Sequence, residues 1–258
     1  MTVESILVLF VIGFLGSFLS GLVGIGGSII KYPLLLYVPP LLGMAAFTAH
    51  EVSGISAVQV FFATLAGVIA LRKDNLVHVR LVLYMGSAVV VGSFLGAYGG
   101  RYLSGDVVNL VYGLLATVAA VMMFLPKKGL DDRKLEEVTF NRWLATLSAF
   151  LVGIASGIVG AAGAFILVPI MLSVLKVPTR VTIASSLAIT FLSSIGSATG
   201  KLLAGDVLLW PSIVMVIASV IAAPLGAKLS TRMNTKLLQA LLAVLILGTA
   251  MKIWLEIL

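Results

Sequence analysis

Ser20-Gly21-Leu22-Val23-Gly24-Ile25-Gly26-Gly27-Ser28-Ile29-Ile30-Lys31-Tyr32-Pro33-Leu34 returns 136 residues later as Ser156-Gly157-Ile158-Val159-Gly160-Ala161-Ala162-Gly163-Ala164-Phe165-Ile166-Leu167-Val168-Pro169-Ile170. Serine, three glycines, a valine, an isoleucine and the proline keep their register, and most of the other positions stay apolar. Each copy lies inside a long hydrophobic run. Glycine and proline interrupt helices, and in hydrocarbon the freed backbone groups must be satisfied by other protein or face a cavity. A matched pair of interrupted segments in two halves of a chain points to a binding site between repeats.

The surrounding composition sets the solvent. Of 258 residues, 60% are hydrophobic and 10% charged, and mean hydropathy is +1.19. Soluble domains carry about 25% charged residues, so this chain is an integral membrane protein. Its N-terminus carries Glu4 where a signal peptide would be basic, and no small-residue cleavage site follows, so the first apolar run reads as a retained helix. The chain contains no cysteine, which removes disulfides and thiolate chemistry.

Ten apolar segments are expected, at 3–23, 28–38, 44–71, 79–98 and 106–125, then at 142–160, 164–175, 181–203, 208–228 and 234–257. The second of each five is too short to cross ~30 Å of hydrocarbon as a regular helix. The only polar stretch of any length, within 126–141, reads as a cytoplasmic linker between a first membrane repeat (1–125) and a second (142–258).

Charge tests the topology. With five crossings in each half, one face holds Arg72, Lys73, Arg80, Lys127, Lys128, Arg133, Lys134, Arg142, Lys176, Arg180, Lys228, Arg232 and Lys236. The opposite face keeps Arg101, Lys201 and Lys252. The positive-inside rule favours this arrangement over one in which the short segments do not cross, and it places both termini outside. An odd number of crossings inverts the second half relative to the first. The expected fold is therefore an all-α polytopic bundle of two inverted repeats, each with about four full spans and one short broken helix.

The net charge of +7 is explained by topology. No basic stripe interleaved with aromatics suggests nucleic acid, so the expected surroundings are a lipid bilayer and a small anionic substrate. Small residues at four-residue spacing, such as Gly92/Gly96/Gly100 and Gly196/Gly200, suit close helix packing and leave room for a homodimer.

Candidate site residues follow from the interruptions. Gly24, Gly26, Gly27 and Ser28, with Gly160 and Gly163, would present free N–H groups and positive helix ends to an anion. Both interruptions are expected to meet near the midplane. Lys31 is the ionisable residue set most deeply in an apolar run, and its counterpart is Leu167. A lysine at such depth either lines a pathway or snorkels to the headgroups. His50 and Glu51, with Gln59 two turns on, are candidates for coupling; the pair also suits an interfacial helix start. Ser185, Ser186, Ser193 and Ser194 belong to a hydroxyl-rich segment that either lines a cavity or bonds back to its own helix. No nucleophile–base pair, metal-ligand spacing or cofactor motif is visible, so an enzyme is not expected.

Gly21-x-x-Gly24-x-Gly26-Gly27 with Pro33-Leu34, its echo Gly157-x-x-Gly160-x-x-Gly163 with Pro169, and Ala184-Ser185-Ser186-Leu187 resemble the TauE/SafE family of prokaryotic membrane permeases. So do Gly54-Ile55-Ser56-Ala57-Val58-Gln59, Leu95-Gly96-Ala97 and Leu225-Gly226-Ala227. The second interruption departs from the pattern at Ala161-Ala162. The resemblance implies a secondary transporter of sulfite, sulfoacetate or a related organosulfonate in the cytoplasmic membrane. A passive anion channel is the alternative.

Overall fold

The computed structural model describes residues 3–25, 28–72, 75–123, 138–160 and 163–257. Gly26, Gly27, Ala161, Ala162 and most of the linker lie outside them, as does the side chain of Ser28. The described chain forms ten helices: α1 (Val3–Val23), α2 (Ser28–Leu41), α3 (Ala49–Leu71), α4 (Val79–Gly99), α5 (Gly105–Met123), α6 (Arg142–Val159), α7 (Ala164–Pro169), α8 (Thr179–Ala204), α9 (Leu209–Arg232) and α10 (Thr235–Ile257). Among the described residues, seven helices are long and apolar enough to cross a membrane.

Burial is arranged for lipid rather than water. On α1, Val3, Leu7, Val11 and Leu15 form an exposed apolar stripe at four-residue spacing, while Gly13, Gly16, Ser17 and Ser20 are buried on the opposite face. Serines thus turn inward and large apolar residues turn outward.

The most extensive helix contacts run between the halves, not within them. α1 packs on α9 as α6 packs on α4, and α3 packs on α9 as α8 packs on α4. The glycine contacts give the directions. Gly13 meets Met215 and Ala218 while Gly21 meets Ala223 and Ala227, so α1 and α9 run the same way. Gly92 meets Phe150 and Gly100 meets Ile158, so α4 and α6 are also parallel. α8 runs with α4, since Gly86 meets Leu192 and Gly200 meets Ala97. α3 opposes α8: Gly54 meets Asp206 and Gly67 meets Leu187. Gln59 bonded to Ser219, with Arg72 and Lys228 flanking one cleft, sets α3 parallel to α9. Hence α1, α3 and α9 point one way and α6, α8 and α4, their counterparts, point the other.

Because α1 and α3 are parallel, the chain between them must return across the bundle, and the same holds between α6 and α8. The short segments with their flanks therefore complete a crossing. α2 is longer than expected, reaching Leu41 through Pro39 and Pro40, and at 1.5 Å per residue spans about 21 Å. α7 is shorter than expected. It stops at Pro169 and continues as a π-helical turn, Ile170–Val174, closed by the Leu175 N–H on the Ile170 carbonyl at 2.9 Å. The third segment starts at Ala49 rather than 44, because Thr48 is an N-cap: its hydroxyl accepts the Glu51 N–H and its own N–H donates to the Glu51 carboxylate at 2.8 Å. Thr48→Ala is expected to lower stability by about 1 kcal/mol in chemical denaturation, with transport unaffected.

Candidate anion site at the centre of the bundle

Lys31 lies on the first turn of α2, one residue before Tyr32, whose hydroxyl donates to Asn109 of α5 at 2.9 Å and whose ring stacks on Tyr112 at 4.6 Å. This anchoring to α5 fixes the rotation of α2 and turns Lys31 towards α1. The lysine is fully buried, and its stem crosses Gly16 so closely that a Cβ there would overlap Cγ. Gly16 is therefore small in order to admit Lys31. Gly16→Ala is expected to displace the lysine and lower transport at least about tenfold, read as uptake rate per folded protein.

Around this point is a polar cluster in a lipid-facing bundle. Gln59 Nε2 donates to Ser219 Oγ at 2.6 Å and to Ser17 Oγ at 3.1 Å, Ser17 donates to Ser219 at 2.8 Å, and Ser219 donates to the Met215 carbonyl. Helices α1, α3 and α9 are thus tied together by side chains from both halves. Two residues beyond Gln59, the Phe61 ring lies 5.3 Å from Phe191, at the middle of α8, so the cluster sits at mid-depth.

Four buried atoms near it have no hydrogen-bond partner: Lys31 Nζ, Ser20 Oγ, Ser56 Oγ and Gln59 Oε1. Ser20 is one turn beyond Gly16 on the same face of α1, and Ser56 is one turn before Gln59 on α3. An unpaired buried ammonium is worth several kcal/mol of destabilisation. Because α1 and α3 are parallel, the unpaired hydroxyls of Ser20 and Ser56 lie one turn to either side of the Ser17–Gln59 layer, about 9 Å apart in depth.

The other candidates are placed differently. Gly24 and Gly160, which open the two interruptions, do not meet near the midplane. Gly24 packs on Ile183 and accepts from Ser186 Oγ at 2.8 Å, near the start of α8, whereas Gly160 packs on Ser53, near the start of α3. Since α3 and α8 are antiparallel, these contacts lie near opposite ends of the bundle. Gly163, in the left-handed conformation like Gly24 and Gly160, packs against Ser156 and Val152.

Of the serines, Ser185 accepts the His78 N–H, Ser186 serves Gly24 and its own helix, and Ser194 bonds back to Phe191. Only the Ser193 hydroxyl is unpartnered among the four. Glu51 is occupied by its cap, and His50 points away from it, to the Leu103 carbonyl at 3.0 Å and to Asp206 at 3.8 Å. Sequence reasoning missed Ser17, Ser20, Ser56 and Ser219, although Gly13, Gly16, Ser17 and Ser20 already form an inward i, i+3, i+4, i+7 stripe. Asp206 and its partner Lys201 were missed too.

The sequence pattern of the sulfite exporter TauE/SafE family matches residues 9–253. A probable membrane transporter protein of Xylella fastidiosa is 32% identical over 188 residues, covering 72% of this chain and 70% of the relative. YunE of Bacillus subtilis, also a probable membrane transporter protein, is 24% identical across 79% of this chain and 80% of its own length. A third such protein, MJ0441 of Methanocaldococcus jannaschii, is 24% identical across 76% of this chain and 72% of itself. No solved structure matches the chain.

Proposed function

The chain belongs to the sulfite exporter TauE/SafE family, and from that premise we propose that it is a secondary transporter of a small sulfur oxyanion: sulfite, sulfoacetate or a related organosulfonate. The carrying observation is Lys31, fully buried at mid-depth with no partner for its ammonium. A site that must select a charged ligand and release it needs one countercharge, not a permanent ion pair. Lys31 supplies the charge, and the unpaired hydroxyls of Ser20 and Ser56, one turn to either side of the Gln59 layer, are donors along the anion's path. Gln59 holds the site to α9 through Ser219, so movement of one half against the other is felt at the anion.

The charge distribution supports an orientation with both termini outside a prokaryotic cytoplasmic membrane. Loops between α3 and α4, α5 and α6, α7 and α8, and α9 and α10 share one end and carry most of the basic residues. Gly24 and Gly160 act in this reading as close-packing hinges at the two ends, each seated on the third helix of the other half.

Uptake into proteoliposomes of sulfite, sulfate, sulfoacetate and thiosulfate, with and without a pH gradient, tests the proposal. Saturable accumulation of a sulfite or sulfonate species against its gradient is the expected result. Transport that only dissipates a gradient would make the protein a channel, and transport of none of the four would end the substrate assignment.

A further inference from the structure

A second buried lysine sits one span-end away from Lys31, and unlike Lys31 it is neutralised. Lys201, on the last turn of α8, is fully buried and donates to Asp206 Oδ2 at 2.9 Å. Asp206 lies in the α8–α9 turn of the second half, and His50 Nδ1 of the first half lies 3.8 Å from the same oxygen. The His50 ring is held by its other nitrogen, which donates to the Leu103 carbonyl of the α4–α5 turn. Asp206 and His50 are partly exposed, with side-chain accessibilities of 13% and 25%, whereas Lys201 is at 0%. Water therefore reaches the carboxylate but neither the ammonium nor His50 Nδ1, which is buried.

On the inward side of Lys201, Ser197 and Ser193 follow at four-residue steps along one face of α8, and neither hydroxyl has a partner. This row spans about 12 Å from Lys201 to Ser193, two residues short of Phe191 at the level of the Lys31 cluster.

We propose that Asp206 is a proton-binding site that controls Lys201 as a second, outer anion subsite, so that anion entry follows proton binding. The proposal rests on the anion-transport reading above. With Asp206 ionised, its carboxylate occupies the Lys201 ammonium. When a proton from the adjoining aqueous phase binds Asp206 Oδ2, Lys201 remains charged and loses its countercharge. An anion then takes that place, with Ser197 and Ser193 next along the row. Departure of the anion along the row and return of the proton to the same aqueous phase restore the pair.

The groups that face Asp206 are Lys201 from α8 and His50 from α3. The neighbouring Glu51 is engaged by Thr48, and Arg101 of the α4–α5 turn stacks over Tyr98 and Tyr102. At the opposite end a different group stands at the place that matches His50. Arg180, second residue of α8 as His50 is second in α3, grips the α9–α10 turn through the Thr231 and Met233 carbonyls at 2.7 and 3.3 Å. An arginine holds its charge at all working pH values, so the two ends differ in kind.

The test uses the full chain in proteoliposomes with methanesulfonate, which stays singly charged throughout. Wild-type uptake is expected to rise as pH falls on the Asp206 side. Asp206→Asn should lose this pH slope. A slope that persists in Asp206→Asn overturns the proposal, as does a slope that survives there and vanishes in His50→Gln. If the wild type moves no methanesulfonate at any pH, the transport reading fails for this anion and infrared titration in detergent decides the proton site. The wild-type minus Asp206→Asn difference spectrum, in which the other carboxyl groups cancel, should show a protonated-carboxyl band that grows on acidification, and a flat difference overturns the proposal.

Discussion

Lys31→Met is expected to stabilise the protein and disable it at the same time. The wild-type ammonium is buried without a partner, so replacing it with an apolar chain of similar length removes an uncompensated charge and should raise the unfolding midpoint in anion-free detergent. The same change deletes a charge-assisted contact to the anion, worth about 1.5–3 kcal/mol, or roughly a 10- to 100-fold rise in KM for uptake. Lys31→Arg keeps the charge, but its planar head does not fit the stem space over Gly16, so partial function is expected. Thermal unfolding and initial uptake rates on one preparation read both effects. A destabilised Lys31→Met with unchanged kinetics would make Lys31 a packing residue.

Gly160→Ala should prevent the halves from docking. Gly160 has φ of +72°, and a Cβ there would run into the backbone carbonyl of Ser53 on α3. The left-handed conformation alone costs an L-residue about 1–2 kcal/mol. Overlap with a carbonyl adds more, because backbone, unlike a side-chain tip, cannot rotate away, and the sum should exceed about 4 kcal/mol. Gly43→Ala is the control: φ is +74°, yet nothing lies within 4 Å, so only the conformational part applies. Size-exclusion profiles in detergent should show a sharp peak for Gly43→Ala and little monodisperse protein for Gly160→Ala. Equal profiles would remove the close contact with Ser53 from the account.

Much of the architecture is legible in the duplicated stretch, because a repeat with matched interruptions and an odd number of crossings can only be inverted. Contacts such as Gly13 on Met215 and Gly100 on Ile158 realise that inversion. Lys31 is legible as well, since a lone lysine among isoleucine, tyrosine and proline stands out against its counterpart Leu167. What the interruptions do is less legible. Glycine runs suit a ligand or a close crossing, and the close contacts of Gly24 with Ile183 and Gly160 with Ser53 could not be read from the sequence. Partners across long separations were hidden for the same reason. His50 stands next to Glu51 in sequence but meets Asp206 in space, because a helix start turns adjacent side chains to different faces. The serine row of α8 divides likewise: Ser186 and Ser194 bond to backbone, whereas Ser193 and Ser197 do not.

The chain contains no cysteine, so a single thiol at the centre of the bundle reports on one place without background. Lys31→Cys, reconstituted in proteoliposomes, can be treated with a small anionic methanethiosulfonate at a series of sulfoacetate concentrations. If Lys31 marks the anion site, the reagent reacts from the aqueous phase, and sulfoacetate or another transported organosulfonate slows the reaction in a saturable way, whereas chloride at equal ionic strength does not. A reaction rate that the anion leaves unchanged would contradict the placement of the site at Lys31.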